Sequence, residues 1–384
     1  MSPRVTRGAV PVIRRPSEFG WRLRSRITSN PVCDGRERVR HRSETENKER
    51  VVARPIAQQV VVVTGASSGI GRAAALEFAR AGAKVACAAR TVPALDTLVE
   101  EIVASGGEAV AVPTDVADPD AVYALATTVE SRFGRIDTWV NNAAVAVWGR
   151  VEDITDDEFD RVMRVNFLGH VYGVHACLEP MRRAGGGVII GVSSLEGVRA
   201  VPLHAPYTAS KWALRGFYDA LRMELMESKD PIAVTTILPG PIATPFFEHA
   251  RSKVGAMPKP PPPTYAPEVV ARAIVHAAVK PTREVPVGGT AISFFMGQRL
   301  SPALSDAVMS LRRVAVDSQR ADRPDTGTDN VDSPLDEAGR VRGAFTGRVL
   351  ESSLFTTLVG QRKRPTEALA ALRSRVQQRT STQE

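Results

Sequence analysis

Tyr207 and Lys211 stand four residues apart in Tyr207-Thr-Ala-Ser-Lys211. On a helix that spacing puts both side chains on one face, close enough to interact. A phenol with a reference pKa of about 10 is a poor base near neutral pH. A neighbouring ammonium favours its phenolate. The pair could then move a proton to or from a substrate oxygen. Y-x-x-x-K arises often by chance, so alone it carries little. A second pattern stands upstream: Thr64-Gly65-Ala66-Ser67-Ser68-Gly69-Ile70-Gly71, after an apolar run and before an alanine-rich stretch. Gly65 allows a tight turn, Gly69 lets the backbone approach a pyrophosphate, and Gly71 lets a helix pack on the preceding strand. The helix N-terminus offers N–H groups and a positive dipole end to phosphates.

These residues need elements to position them. From residue 58 short apolar runs alternate with helical stretches. Strands are expected at 59–64, 84–89, 109–114, 136–141, 188–193, 232–238 and 284–287. Helices are expected near 69–81, 93–105, 118–133, 156–183, 207–228 and 266–279. Near-continuous Val/Ile/Ala strands imply that both sheet faces are covered. Alternation with helices implies right-handed βαβ units and an α/β fold: a Rossmann-type, doubly wound parallel sheet of about seven strands in a three-layer α/β/α arrangement. Residues 58–290 read as the catalytic domain, 1–57 as a basic tail and 291–384 as a C-terminal extension. The interruption at 244–265, with Phe246-Phe247, Pro258 and Pro260–Pro263, reads as a functional lid. In the extension, Leu300, Leu304, Val308 and Leu311 share one helical face. They are expected to pack on the domain, with a membrane-surface or partner helix as the alternative. Residues 321–340, rich in Asp, Gly, Pro and Ser, read as a linker, and 348–377 as a further short helix or two.

Charge is uneven along the 384 residues. The net +8 comes from 50 Lys+Arg against 42 Asp+Glu, and residues 1–55 alone hold 14 basic residues against six acids. The remainder is neutral, which argues against a globally basic nucleic-acid binder. The tail reads as a cationic arm for nucleic acid or anionic lipid, an organelle-targeting segment, or upstream sequence without function. No apolar span long enough for a bilayer and no secretory h-region is visible. Cys33, Cys87 and Cys177 are an odd count, widely spaced and without a C-x-x-C pair, which speaks for a reducing cytoplasm and against a disulfide framework or a zinc site, and no metal is expected. Cys87 and Cys177 are expected to be packing residues.

The TGxxxGxG spacing followed by Y-x-x-x-K resembles the short-chain dehydrogenase/reductase family, single-domain branch, over about residues 58–290. The resemblance implies an oxidoreductase that exchanges hydride between a nicotinamide cofactor and a small carbonyl or secondary-alcohol substrate. The positive nicotinamide of the oxidised cofactor would further favour the Tyr207 phenolate. Ser194, thirteen residues before Tyr207, matches the family's catalytic serine and would stabilise charge on the substrate oxygen. Ser193 is its structural neighbour. Lys211 would also hold the nicotinamide ribose. Asn166 matches the helix asparagine that anchors a water in a proton relay toward Lys211. Thr64, Gly65, Ser67, Ser68, Gly69, Ile70 and Gly71 would receive the cofactor. Asp115 and Val116 would meet the adenine, and Asn142 would line the nicotinamide side. Asn141 would tie neighbouring strands together. Pro239-Gly240 would start the substrate loop, with Ile242 and Thr244 touching the nicotinamide amide. Ala89 stands where NAD-preferring relatives have an acid, and Arg90 could pair with a 2′-phosphate. NADP(H) is therefore favoured, with NAD(H) the alternative, since Ser68 stands where many NADP users have Arg or Lys. Val145–Trp148, Leu195–Leu203 and Phe246–Phe247 would surround an apolar substrate. Relatives usually form homodimers or homotetramers. Two other readings are a non-catalytic NADP(H)-binding sensor or scaffold, and a membrane-docked lipid- or steroid-type enzyme that uses its terminal extensions.

Overall fold

The computed structural model describes residues 53–353 and Thr356. The tail readings for 1–52, Cys33, and most of the short helices expected at 348–377 lie outside the described residues. Seven parallel strands form one sheet: β1 (Val60–Thr64), β2 (Lys84–Ala89), β3 (Glu108–Pro113), β4 (Thr138–Asn141), β5 (Gly187–Val192), β6 (Ile232–Pro239) and β7 (Glu284–Val287). Their order is β7-β6-β5-β4-β1-β2-β3. This is the doubly wound Rossmann-type α/β fold expected from the strand–helix alternation. After β3 the chain crosses back over β1 to place β4 on its other side. The carboxyl ends of β1 and β4 therefore flank a topological switch point, where open α/β sheets bind ligands.

The helices are α1 (Gly69–Arg80), α2 (Val92–Ala104), α3 (Pro119–Phe133), α4 (Asp156–Met163), α5 (Gly169–Arg183), α6 (Ala205–Glu227) and α7 (Pro267–Val279). Strand periodicity explains the two layers. Val61 and Val63 join the core cluster of α1, α2 and α7, whereas Val60 and Val62 join that of α3, α5 and α6. Cys87 and Cys177 are free and buried in these two layers. The helix expected over 156–183 is not continuous. A π turn at Arg164–Leu168 separates α4 from α5, and it carries Asn166. Such turns widen the backbone locally and often sit at functional positions.

Asp137 ties the sheet together: it accepts the Val60 N–H at 2.9 Å and pairs with Arg135 at 2.7 Å. Asn141 does not bridge strands. Its side chain accepts from the Trp139 indole at 2.8 Å and donates to the His170 carbonyl and the Tyr218 hydroxyl. It joins β4 to α5 and α6 because a side chain at a strand's end faces the helical layer.

Past β7, α8 (Thr290–Leu300) and α9 (Pro302–Ser310) are separate helices. Ser301 caps α9 by accepting the Leu304 N–H. This break splits the stripe from Leu300 to Leu311, and the stripe is exposed, with Leu300 at 72%. It does not pack on the domain as expected. No helix among the described residues is long and apolar enough to cross a membrane. Val349–Leu350 is a short strand against Thr264–Tyr265. Residues 244–265 hold a turn at Pro245–Phe247, and Arg251–Ser252 pairs with Val147–Trp148.

Gly191 in β5 faces Tyr218 of α6 so closely that a Cβ would lie 2.1 Å from the ring. Gly191→Ala should cost about 1–3 kcal/mol through overpacking. Urea unfolding should show a lowered midpoint with an unchanged slope.

Candidate active site

The glycine turn joins β1 to α1 at the switch point. Gly65 has φ +66, and a Cβ there would lie 2.7 Å from the Ala143 Cα. A Cβ on Gly71 would lie 2.1 Å from the Gly65 carbonyl oxygen. The turn is thus a cradle that side chains would fill. Asn142 locks it, donating from Nδ2 to the Thr64 and Gly65 carbonyls at 3.0 and 3.3 Å. Its backbone N–H donates to the Thr64 hydroxyl. Ser68 is an extended N-cap that supplies no side-chain cap to α1. These features fit a bound dinucleotide pyrophosphate.

The same cavity reaches Ser67, Ser68, Ile70, Arg90, Asp115 and Val116 on one side. Asn142, Pro239, Gly240, Ile242 and Thr244 line it too. Gly240 is held to β7 by its N–H on the Val287 carbonyl at 2.9 Å. Asp115 accepts from the Ala117 N–H and from Arg161 at 2.9 Å. Burial opposes its charge, but these bonds and the nearby Arg90 hold its carboxyl below the usual range. Arg90 itself is engaged: its terminal nitrogens donate to the carbonyls of Asn330 and Asp332.

Tyr207, Lys211 and Ser194 line the other end of that cavity. The Lys211 Nζ is 5.3 Å from the Tyr207 ring centre and donates to the Val192 carbonyl at 3.0 Å. Burial pushes Lys211 down to about 7, with Glu196 opposing. Tyr207 moves opposite to the sequence expectation. Burial, reinforced by the Glu196 charge, raises its pKa, while a hydrogen bond with Ser194 works the other way. Desolvation is the largest effect on the phenol. Ser193 donates to the Lys211 carbonyl at 3.1 Å and so ties β5 to α6. Asn166 is fully buried; it accepts the Val145 N–H at 2.8 Å and donates to the Val145 carbonyl and to Ser210. It therefore pins the Val145 backbone, which lines the cavity.

Several contacts within the site are not marked in the sequence. Glu196 accepts from Thr208 at 2.8 Å and meets His204 Nδ1 at 2.9 Å. His204 and Thr208 lie close to Tyr207 in the chain, but only folding brings Glu196 onto them. The Trp148 ring packs on His204, Phe246 and Phe247 at 4.2, 5.8 and 5.6 Å, and Phe246 reaches Tyr207 at 5.5 Å. Asn330, Pro334, Leu335, Glu337 and Gly339 also line the cavity. The segment read as a linker is therefore a wall of the site.

A family model described as short chain dehydrogenase matches residues 59–255. The oxidoreductase YxnA of Bacillus subtilis is 38% identical over 330 residues, covering 85% of this chain and 91% of YxnA. The chain belongs to the short-chain dehydrogenase/reductase family. Two solved structures agree. A Thermococcus sibiricus alcohol dehydrogenase complexed with 5-hydroxy-NADP gives a TM-score of 0.53 at 28% identity, over 60% of this chain and 95% of its own. A metagenomic short-chain oxidoreductase in complex with NADP gives 0.52 at 33% identity, over 61% and 98%. This short-chain dehydrogenase/reductase is thus an oxidoreductase with a nicotinamide-cofactor fold.

The depressed Lys211 pKa has a definite sign. The unfolded lysine, near 10.4, binds its proton more tightly than the folded one, whose pKa is about 7. Burying Lys211 therefore destabilises the fold fully below pH 7, and the penalty fades as pH rises toward 10. Lys211→Met should raise the melting temperature more at pH 6.5 than at pH 9.5. Equal shifts at both pH values would contradict the assignment.

Proposed function

We propose that this enzyme exchanges hydride reversibly between NADP(H) and a carbonyl or secondary-alcohol substrate with an apolar body. One observation carries the reading: Ser194, Tyr207 and Lys211 line the same cavity as the glycine turn, Arg90 and Asp115. When bound, the nicotinamide supplies or accepts the hydride. Tyr207 would protonate the substrate oxygen on reduction and deprotonate it on oxidation. Its raised pKa suits the acid role, and a protonated Lys211 would lower it for the reverse direction. The Ser194 hydroxyl would donate to the same oxygen and stabilise charge there. Lys211 would hold the ribose hydroxyls. Asn166 would fix the Val145 backbone and support a water relay toward Lys211.

NADP(H) is preferred over NAD(H) because Ala89 leaves no acid against a 2′-phosphate and Arg90 stands beside it. The NADP ligands of the two similar structures support this choice. Val145, Trp148, Leu195, Val201, Phe246 and Phe247 give the substrate end its apolar and aromatic character. Trp212, Met223 and Met226 leave apolar surface exposed on α6, which supports a homodimer or homotetramer built on the helices that carry Asn166 and Tyr207.

Tyr207→Phe keeps the ring and removes the proton. It should lower kcat by about 10³-fold while NADPH still binds, as read by fluorescence titration. A carbonyl and alcohol panel run with NADPH and NADH in parallel checks the rest. Near-normal turnover by the variant would sink the Tyr207 assignment.

A further inference from the structure

Residues 329–340 cross the adenosine half of the cavity and use the donors that a dinucleotide's phosphates need. Arg90 Nη1 donates to the Asp332 carbonyl at 3.1 Å, and Nη2 donates to that of Asn330. The Gly69 N–H, at the start of α1, donates to the Arg340 carbonyl at 3.0 Å. One end of this strap takes the arginine beside the 2′-phosphate position. The other takes an N–H of the pyrophosphate cradle.

The strap is firmly seated. Val331 is fully buried in the core cluster that holds Val116, and its carbonyl accepts from Arg161 at 3.0 Å. The Asn330 N–H donates to the His249 carbonyl at 2.9 Å. Arg251 pairs with Asp329 and Asp332, each at 2.8 Å. Glu337 meets His249 at 2.6 Å, and Arg340 meets Glu248 at 2.8 Å. Pro334, Leu335 and Gly339 line the cavity, which stays continuous with the glycine turn. The strap therefore withholds donors rather than volume.

We propose that residues 329–340 are a built-in competitor for the cofactor's phosphate sites and that they set the balance between NADP(H) and NAD(H). The inference rests on the nicotinamide-cofactor reading above. A guanidinium whose two terminal nitrogens each hold a carbonyl has fewer N–H groups left, and a fixed orientation, with which to clasp a 2′-phosphate. The phosphate makes charge-assisted bonds and the carbonyls neutral ones, so the phosphate can displace them. Displacement lowers the apparent affinity by the fraction of molecules whose strap is open. NAD(H) has no 2′-phosphate and leaves the strap on Arg90, so it escapes that part of the cost. Holding the strap therefore weakens NADP(H) more than NAD(H). The match with YxnA spans 85% of this chain, more than residues 1–290 contain, so it too reaches into the extension.

Hydrogen exchange on the full chain, with and without saturating NADPH or NADH, tests this. NADPH should speed exchange of the backbone amides in 329–340, and NADH should do so less. Arg251→Gln frees Asp329 and Asp332, and Val331→Ser loosens the buried anchor. In titrations of folded, cooperatively melting variants, each should tighten NADPH by up to about tenfold and NADH by less. Slower or unchanged exchange in 329–340 with NADPH would overturn the proposal, as would weaker NADPH binding by both variants. Failure of the wild type to bind either dinucleotide would overturn the cofactor reading itself, and the strap with it.

Discussion

A buried amine governs this site. Lys211 is 1% exposed, and its Nζ holds the Val192 carbonyl at the carboxyl end of β5. Among the described residues no carboxylate pairs with it. Glu196, whose charge acts on it, is itself engaged by His204 and Thr208. Desolvation therefore dominates, and Lys211 is poised near neutrality rather than firmly cationic. Its neighbours follow from that position. Ser193 takes the Lys211 carbonyl, Ser194 falls one residue further along the chain, and Tyr207 sits one helical turn earlier on the same face. Moving α6 along β5 would misplace all three.

The opposite end of the cavity is organised by sterics instead. Gly65 and Gly71 let the strand-to-helix turn fold so tightly that either Cβ would collide with backbone. Asn142 then locks the turn from β4. The two ends meet because the chain crosses between β3 and β4 and brings β1 beside β4. A single cavity results from that crossover, with Ser194, Tyr207 and Lys211 in its lining together with the glycine turn, Arg90 and Asp115. Charge balance over the body of the chain suits such a site, where positive charge is placed locally at Arg90 and Arg161.

The strap changes how Arg90 is understood. In isolation it is a free guanidinium awaiting a phosphate; in the fold it is already satisfied by two main-chain carbonyls. The same segment brings Asp329, Asp332 and Glu337 against Arg251 and His249. The C-terminal extension is therefore part of the site's electrostatics. Residues of the sheet domain and of the extension line one cavity.

Much of this was legible in the chain alone. Periodicity located all seven strands to within two residues, because parallel strands buried on both faces must be continuously apolar. The glycine turn and the Tyr207–Lys211 spacing were legible because backbone sterics and helix geometry act over a few residues. Other properties belong to the tertiary structure. Asn141 turned toward the helices, the Leu300–Leu311 stripe stayed exposed, and Tyr207 was raised rather than lowered. The Glu196–His204 pair came together only on folding. Most of all, residues 329–340 looked like a linker because their grip on Arg90, Arg161 and the Gly69 N–H comes from main-chain carbonyls, which every residue carries. Main-chain recognition leaves no mark in side-chain composition, so only the fold could decide where that segment lies.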